Sequence, residues 1–257
     1  MYVDTHCHLD SDALAPNLDS ILQNCFKQGV NKIIIPGADI NDLPKALELS
    51  SKFSGVYFAL GIHPNEANTF NPSIESRFKE CINHKKCVAI GEVGLDYYNL
   101  DFKPTKEIQK EVFEIQINLA LESKKPLIIH SRESNNDVVD VLKSYENSLK
   151  AVVFHCFGGD LNLLGCLKCP IYYGIGGIIT FKNAKTLKDS IKKLPLDSIL
   201  LETDSPYLAP TPFRGKINTP LNIPLINEAL ALELNLKKEE LEKITSANAA
   251  RVFGFEN

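Results

Sequence analysis

Eight short apolar runs alternate with longer amphipathic stretches along 257 residues, and this alternation constrains the fold more than any other feature. The runs cover Tyr2–His6, Lys32–Ile35, Val56–Ile62, Cys87–Glu92, Pro126–His130, Ala151–His155, Ile171–Gly176 and Ser198–Glu202. Their near-continuous apolar character suits strands of a parallel sheet buried on both faces. Helices are expected over Leu18–Gln28, Asp42–Ser51, Ser73–Asn83, Pro104–Ser123, Asn135–Tyr145, Ala184–Leu194 and Pro220–Leu234, with a further one over Lys237–Arg251. The clearest is Pro104–Ser123. Ile108, Val112, Ile115 and Leu119 recur at helical spacing and are expected to form one buried stripe. Eight β–α units in a chain of this length match an α/β, single-domain (β/α)8 TIM-type barrel with an extra C-terminal helix. No composition break divides residues 1–257, so one domain is expected. The proline-rich stretch Ser205–Pro224 reads as a long ordered loop, and such loops are usually functional.

Composition excludes several classes. The formal net charge is −4, which gives no general attraction to nucleic acid or membranes. No run is long enough for a membrane span. The polar start at Asp4 does not read as a signal peptide, so a cytoplasmic protein is expected. Seven cysteines form no regular framework, which suits reduced thiols. The lone pair Cys166 and Cys169 reads as incidental, since a zinc site needs a second ligand pair.

The chemistry lies at the ends of the runs. His6 and His8 are two apart, so on extended chain both imidazoles face one way and Cys7 faces the other. His130 and His155 end their runs, Glu92 ends the fourth, and Asp204 follows the eighth. Barrel enzymes of this type place their active sites at the carboxyl ends of the strands. Five of the six histidines, His63 included, fall there; His84 reads as solvated surface. His6, His8, Glu92, His130, His155 and Asp204 are too many ligands for one open site. Two divalent ions sharing a carboxylate would use them all. His6, His8 and Asp204 are then expected at one ion and His130 and His155 at the other, with Glu92 as the bridge. Imidazole ligands favour zinc or manganese (Zn2+, Mn2+) over magnesium (Mg2+). Asp204 doubles as proton acceptor, and His63 is assigned to a phosphate oxygen or leaving group.

Longer motifs surround these residues: Asp4-Thr5-His6-Cys7-His8-Leu9-Asp10, Gly61-Ile62-His63-Pro64, Ile90 to Tyr98, His130-Ser131-Arg132-Glu133, His155-Cys156-Phe157 and Glu202 to Pro210. With Arg214-Gly215-Lys216 and Asn248 to Phe253, the chain resembles the TatD family of metal-dependent deoxyribonucleases from Met1 to Phe253. The resemblance implies a TIM-type barrel of the amidohydrolase superfamily, the same six metal ligands, and phosphodiester hydrolysis. It further implies a 3′-to-5′ exonuclease on DNA, often supported by magnesium. Two departures from the family pattern stand out. Thr219 follows Asn218 where an acidic residue is usual, and Gly158-Gly159 replaces Ser-Gly.

The expected partner is DNA, as single strands or 3′ ends, handled by a monomer. Arg132, Arg214 and Lys216 are expected to form a cationic collar around the metals. Tyr97, Tyr98, Tyr207 and Phe213 are candidates for stacking on bases. A second enzyme reading keeps the site and changes the bond to a small ester or amide, or an aminoacyl-tRNA ester. Barrels of the first type often carry a carboxylated lysine bridge, whereas here Glu92 occupies that position. A vestigial scaffold would lack a ligand, and none is missing.

Overall fold

The computed structural model describes residues 1–102 and 104–255. Eight strands follow one another around a single sheet: β1 Tyr2–Asp4, β2 Val30–Ile35, β3 Val56–Leu60, β4 Cys87–Asp96, β5 Leu127–Arg132, β6 Val152–Phe154, β7 Ile171–Ile175 and β8 Ile199–Leu201. Every neighbouring pair is parallel. The helices are α1 Leu18–Lys27, α2 Leu43–Lys52, α3 Pro72–Cys81, α4 Lys106–Ser123, α5 Asn135–Lys143, α6 Lys185–Ile191, α7 Ile223–Leu234 and α8 Lys238–Phe253. The chain is a (β/α)8 barrel, as the alternation of runs predicts.

The strands separate two apolar layers with a period of two. Ile33, Phe58, Leu127, Val152, Tyr173 and Ile199 pack outward against the helices. Ile34, Ala59, Ile128, Val153, Tyr172 and Leu200 form a separate inner cluster. Among the described residues, the only helical ones buried in that inner cluster are Ala249, Val252 and Phe253 of α8, so the last helix plugs the amino-terminal end of the barrel. Asn248 secures it, donating to the carbonyls of Leu196 at 2.8 Å and Ile199 at 2.9 Å.

The seam between β8 and β1 closes at the carboxyl end. The Thr5 amide donates to Leu201 O at 3.0 Å, the Asp204 amide to His6 O at 2.9 Å, and the His8 amide to Ser205 O at 2.8 Å. Beneath these bonds, buried Asp4 accepts from the Thr203 amide at 2.9 Å and its hydroxyl at 2.6 Å. Strand β1 ends at Asp4, short of the expected His6, because this seam replaces a regular ladder beyond that point.

The expected stripe on α4 is rotated. Ile108 and Ile115 are only half-buried, while Gln109 and Gln116 lie in the interface beside Val112 and Phe113. Gln116 accepts from the Ile62 amide at 2.7 Å and donates to its carbonyl at 3.1 Å. Gln109 does the same for Asp96, at 2.8 and 3.0 Å. Two glutamines thus satisfy backbone groups at the ends of β3 and β4 that the ladder leaves unpaired. His84 is half-buried, not solvated: its ring packs 5.6 Å from that of Phe58, and its Nδ1 accepts from the Lys86 amide.

Candidate metal centre

The same period of two delivers the site. His130 lies two residues past inward-facing Ile128, His155 two past Val153, and Glu202 two past Leu200. All three therefore turn into the mouth of the barrel. His6 and His8, on the extended segment after β1, arrive from the seam, with Cys7 buried on the other side. Glu92 sits at the centre. Its Oε1 lies 2.6 Å from His130 Nδ1, 2.9 Å from His155 Nε2 and 3.6 Å from His63 Nε2. Its Oε2 lies 3.1 Å from His6 Nε2 and 3.8 Å from His8 Nε2. Asp204 Oδ1 stands 3.6 Å from His8 Nε2 and 3.8 Å from His6 Nε2.

The donor set fits divalent cations. Ligand atoms of His6, His8 and Asp204 converge, as do those of His6, Glu92 and His155, and those of His63, Glu92 and His130. His6 is fully buried, yet neither ring nitrogen has a hydrogen-bond partner among the described residues. A buried imidazole left unpaired beside two carboxylates is placed for a cation.

Electrostatics point the same way. Burial drives His6 down to about 4, with the charge of His155 adding to the effect. Burial also takes His63 down to about 3. Burial opposes the charge of His155 too, but Glu92 outweighs it and lifts the ring to about 10. Glu92 resists its own burial because His155 and His6 surround it, and its carboxyl stays well below the ordinary range.

Three supporting carboxylates are not singled out by sequence reasoning. Asp96 Oδ2 lies 3.1 Å from His130 Nε2, and Glu202 Oε1 lies 3.8 Å from His155 Nδ1. Asp4 holds Thr203, the residue before Asp204. A carboxylate hydrogen-bonded to a metal-binding histidine orients the ring and raises its basicity, which Asp96 is placed to do for His130; Glu202 stands beyond hydrogen-bond reach of His155 and supports it through the amide of Cys156, the next residue. Asp96 and Glu202 stand at strand ends within the family motifs, and that position is the signal the sequence offers for them.

His63 is held differently from the other histidines of the candidate site. Its Nδ1 accepts from the Asn65 amide at 3.1 Å. The neutral ring therefore carries its proton on Nε2, which faces the cleft as a donor.

The cleft, about 740 Å³, does not have the expected cationic collar. Arg132 lines it, stacked 3.8 Å over the Tyr98 ring. Arg214 is instead packed 4.2 Å over Phe181, and Lys216 lines another cleft with Tyr2 and Gln28. The loop after β8 carries them outward, because buried Asn218 ties it to the carbonyls of Thr203 and Tyr207. Asp10, Asp12, Asp39 and Asp42 form an acidic wall instead. Of the aromatic candidates, Tyr207 is exposed beside His8, whereas Tyr97 is tied to Asp137 at 2.7 Å. Thr219 lies beyond Asn218 on the loop, and a Cβ added at exposed Gly158 would meet nothing within 4 Å, so neither departure touches the candidate metal ligands.

A (β/α)8 barrel carrying histidines and carboxylates of this kind at its carboxyl rim defines a metal-dependent hydrolase. The family model described as TatD related DNase matches residues 3–254. The chain is 39% identical to the uncharacterized metal-dependent hydrolase YabD of Bacillus subtilis, over 98% of this chain and 99% of that one. It is 34% identical to the uncharacterized metal-dependent hydrolase YcfH of Escherichia coli K12, over 98% and 95%. The crystal structure of YJJV, a TatD homolog from E. coli K12, superposes with a TM-score of 0.92 at 29% identity, covering 99% of this chain and 98% of that one. The chain belongs to the TatD family of metal-dependent hydrolases. Among the described residues, no helix is long and apolar enough to cross a membrane.

Proposed function

We propose that this hydrolase cleaves phosphodiester bonds in DNA, removing nucleotides from the 3′ ends of single strands with two divalent ions, Mg2+, Mn2+ or Zn2+. The observation that carries this reading is the division of Glu92: one oxygen faces His130 and His155, the other His6 and His8. His6, His8 and Asp204 would hold one ion and His130 and His155 the other, with Glu92 between them. When bound, such ions supply an activated water and neutralise charge on the phosphoryl group.

The chain's own residues do the rest. Asp204 takes the proton of the attacking water. Burial opposes its charge, but His8 and His6 outweigh this and keep it ionised. His63, neutral, keeps its proton and donates a hydrogen bond from Nε2–H to a phosphoryl or leaving oxygen, stabilising the charge that develops there. Arg132 is the cation in the cleft for a second phosphate. Exposed Tyr207 offers a face for a base. The acidic wall repels a long phosphate backbone, which favours strand ends over duplex.

That wall also supports a second reading. Four aspartates beside His8 suit a cationic amino group, such as the α-amine of an aminoacyl-tRNA ester.

One experiment separates the two. Protein stripped of metal and reloaded with magnesium, manganese or zinc is given end-labelled single-stranded DNA or an aminoacyl-tRNA. Stepwise shortening from the 3′ end, absent without metal and in Glu92→Ala, is expected. Release of the amino acid with DNA untouched would replace the DNA reading with the ester one.

A further inference from the structure

The amino-terminal end of the barrel, opposite the metal centre, carries a cleft of about 980 Å³. Lys52, Lys85, Lys86, Lys124, Lys125 and Lys150 line it, and no described aspartate or glutamate does. In a chain of net charge −4 this is a marked segregation. Lys52 is paired with Asp19 at 2.8 Å. Among the described residues the other five have no ion pair.

Local structure explains only part of the cluster. Lys52 ends α2 and Lys124 caps α4, where a cation complements the helix dipole. Lys125 follows directly on that cap, whereas Lys85 and Lys86 lead into β4 and Lys150 into β6, where no helix end requires a charge. Two of these are held by neutral groups: Lys125 donates to Cys87 O at 2.7 Å and Lys86 to Ser54 O. Lys86 also sits 4.2 Å over the Tyr57 ring. Such interactions fix the ammonium groups without neutralising them. Burial, then the charges of Lys85 and Lys32, pushes Lys86 downward; burial and then Lys125 does the same to Lys150. Among the described residues, Lys85, Lys86, Lys124, Lys125 and Lys150 meet like charge in this cleft without an ion pair, an arrangement that a bound anion relieves.

We propose that this cleft is a second nucleic-acid site, which holds the sugar–phosphate backbone of a single strand without reading its sequence. Lysines are mobile point charges that follow a backbone, whereas planar readout of bases would call for arginine forks. The concave shape admits a few nucleotides of one strand rather than the convex side of a duplex. The choice of nucleic acid as the polyanion rests on the DNA-hydrolase reading of the metal centre.

The test uses the whole protein and a labelled single strand of about 20 nucleotides, with binding followed by fluorescence anisotropy over a salt series. The variant combines Lys85→Gln, Lys124→Gln and Lys150→Gln, three exposed side chains, and its melting curve checks the fold. Affinity at about 0.1 M salt should fall on the order of tenfold or more, and the salt slope should drop by about 2, at ~0.7 for each phosphate no longer neutralised. Cleavage of a dinucleotide, too short to reach this face, should be unchanged. Equal affinity and slope in wild type and variant would overturn the proposal. So would lysine-dependent binding of inorganic pyrophosphate without binding of the strand. Lysine-dependent strand binding by a protein that cleaves neither strand nor dinucleotide would uphold this site and reject the DNA-hydrolase reading.

Discussion

The Cβ that Gly174 lacks would stand 2.0 Å from Oε2 of Glu202. Gly174 lies two residues past inward-facing Tyr172, so it looks into the barrel from β7 just where the Glu202 carboxylate crosses from β8. Glu202 spends its other oxygen on the Cys156 amide at 2.5 Å, immediately after His155. Glycine at 174 therefore makes room for the carboxylate behind a metal-ligand candidate. Gly174→Ala should displace Glu202 and, through it, His155. Metal affinity should fall about 10- to 100-fold, the usual effect of losing such support. A competitive chelator titration measures it, and unchanged affinity would remove Glu202 from this role.

Asp204 and His63 should fail differently. Asp204→Asn should lower kcat/KM by about 10²- to 10⁴-fold, as expected for a lost proton acceptor. His63→Ala should lower kcat by about 10²-fold with bound metal unchanged, since its lone pair is already given to Asn65. Elemental analysis beside steady-state kinetics decides the point. Metal lost with His63 would make it a ligand.

Gln116 connects α4 to the segment that carries His63. Gln116→Leu strands the buried amide and carbonyl of Ile62. Stability should fall by about 1–3 kcal/mol, the cost of leaving such groups unpaired. A urea unfolding curve with an unshifted midpoint would contradict this.

The pH response of the metal-free protein isolates Glu202. Burial raises its carboxyl from 4.5 to about 8. A folded-state value above the unfolded one means the folded chain holds the proton more tightly. The resulting stabilisation is full below pH 4.5 and is lost as pH rises through about 8. In chelator-treated protein, wild type should therefore lose melting temperature over that window relative to Glu202→Gln. Parallel curves would show that the burial does not act on this proton.

Much of the candidate site is legible in the sequence because its residue types are set locally. Short apolar runs with ligand residue types at their carboxyl ends are readable one run at a time, as for Ile128 to His130 and Val153 to His155. The stripe on α4 is not, because Gln109 and Gln116 look polar in sequence. They are buried because the ends of β3 and β4 offer backbone groups that only a side-chain amide can satisfy. Arg214 and Lys216 are near Asp204 in sequence, which places them at the rim in one dimension, whereas Asn218 folds their loop away from it.

The sequence by itself determined the order of strands and helices and the residue types that crown them, since both follow from short-range periodicity and side-chain chemistry. Only the tertiary structure decided which carboxylate stands behind which histidine, how the seam closes, and that scattered lysines share one cleft. Those relations join residues far apart in the chain, such as Asp4 and Thr203, 199 positions apart, and exist only once the barrel closes.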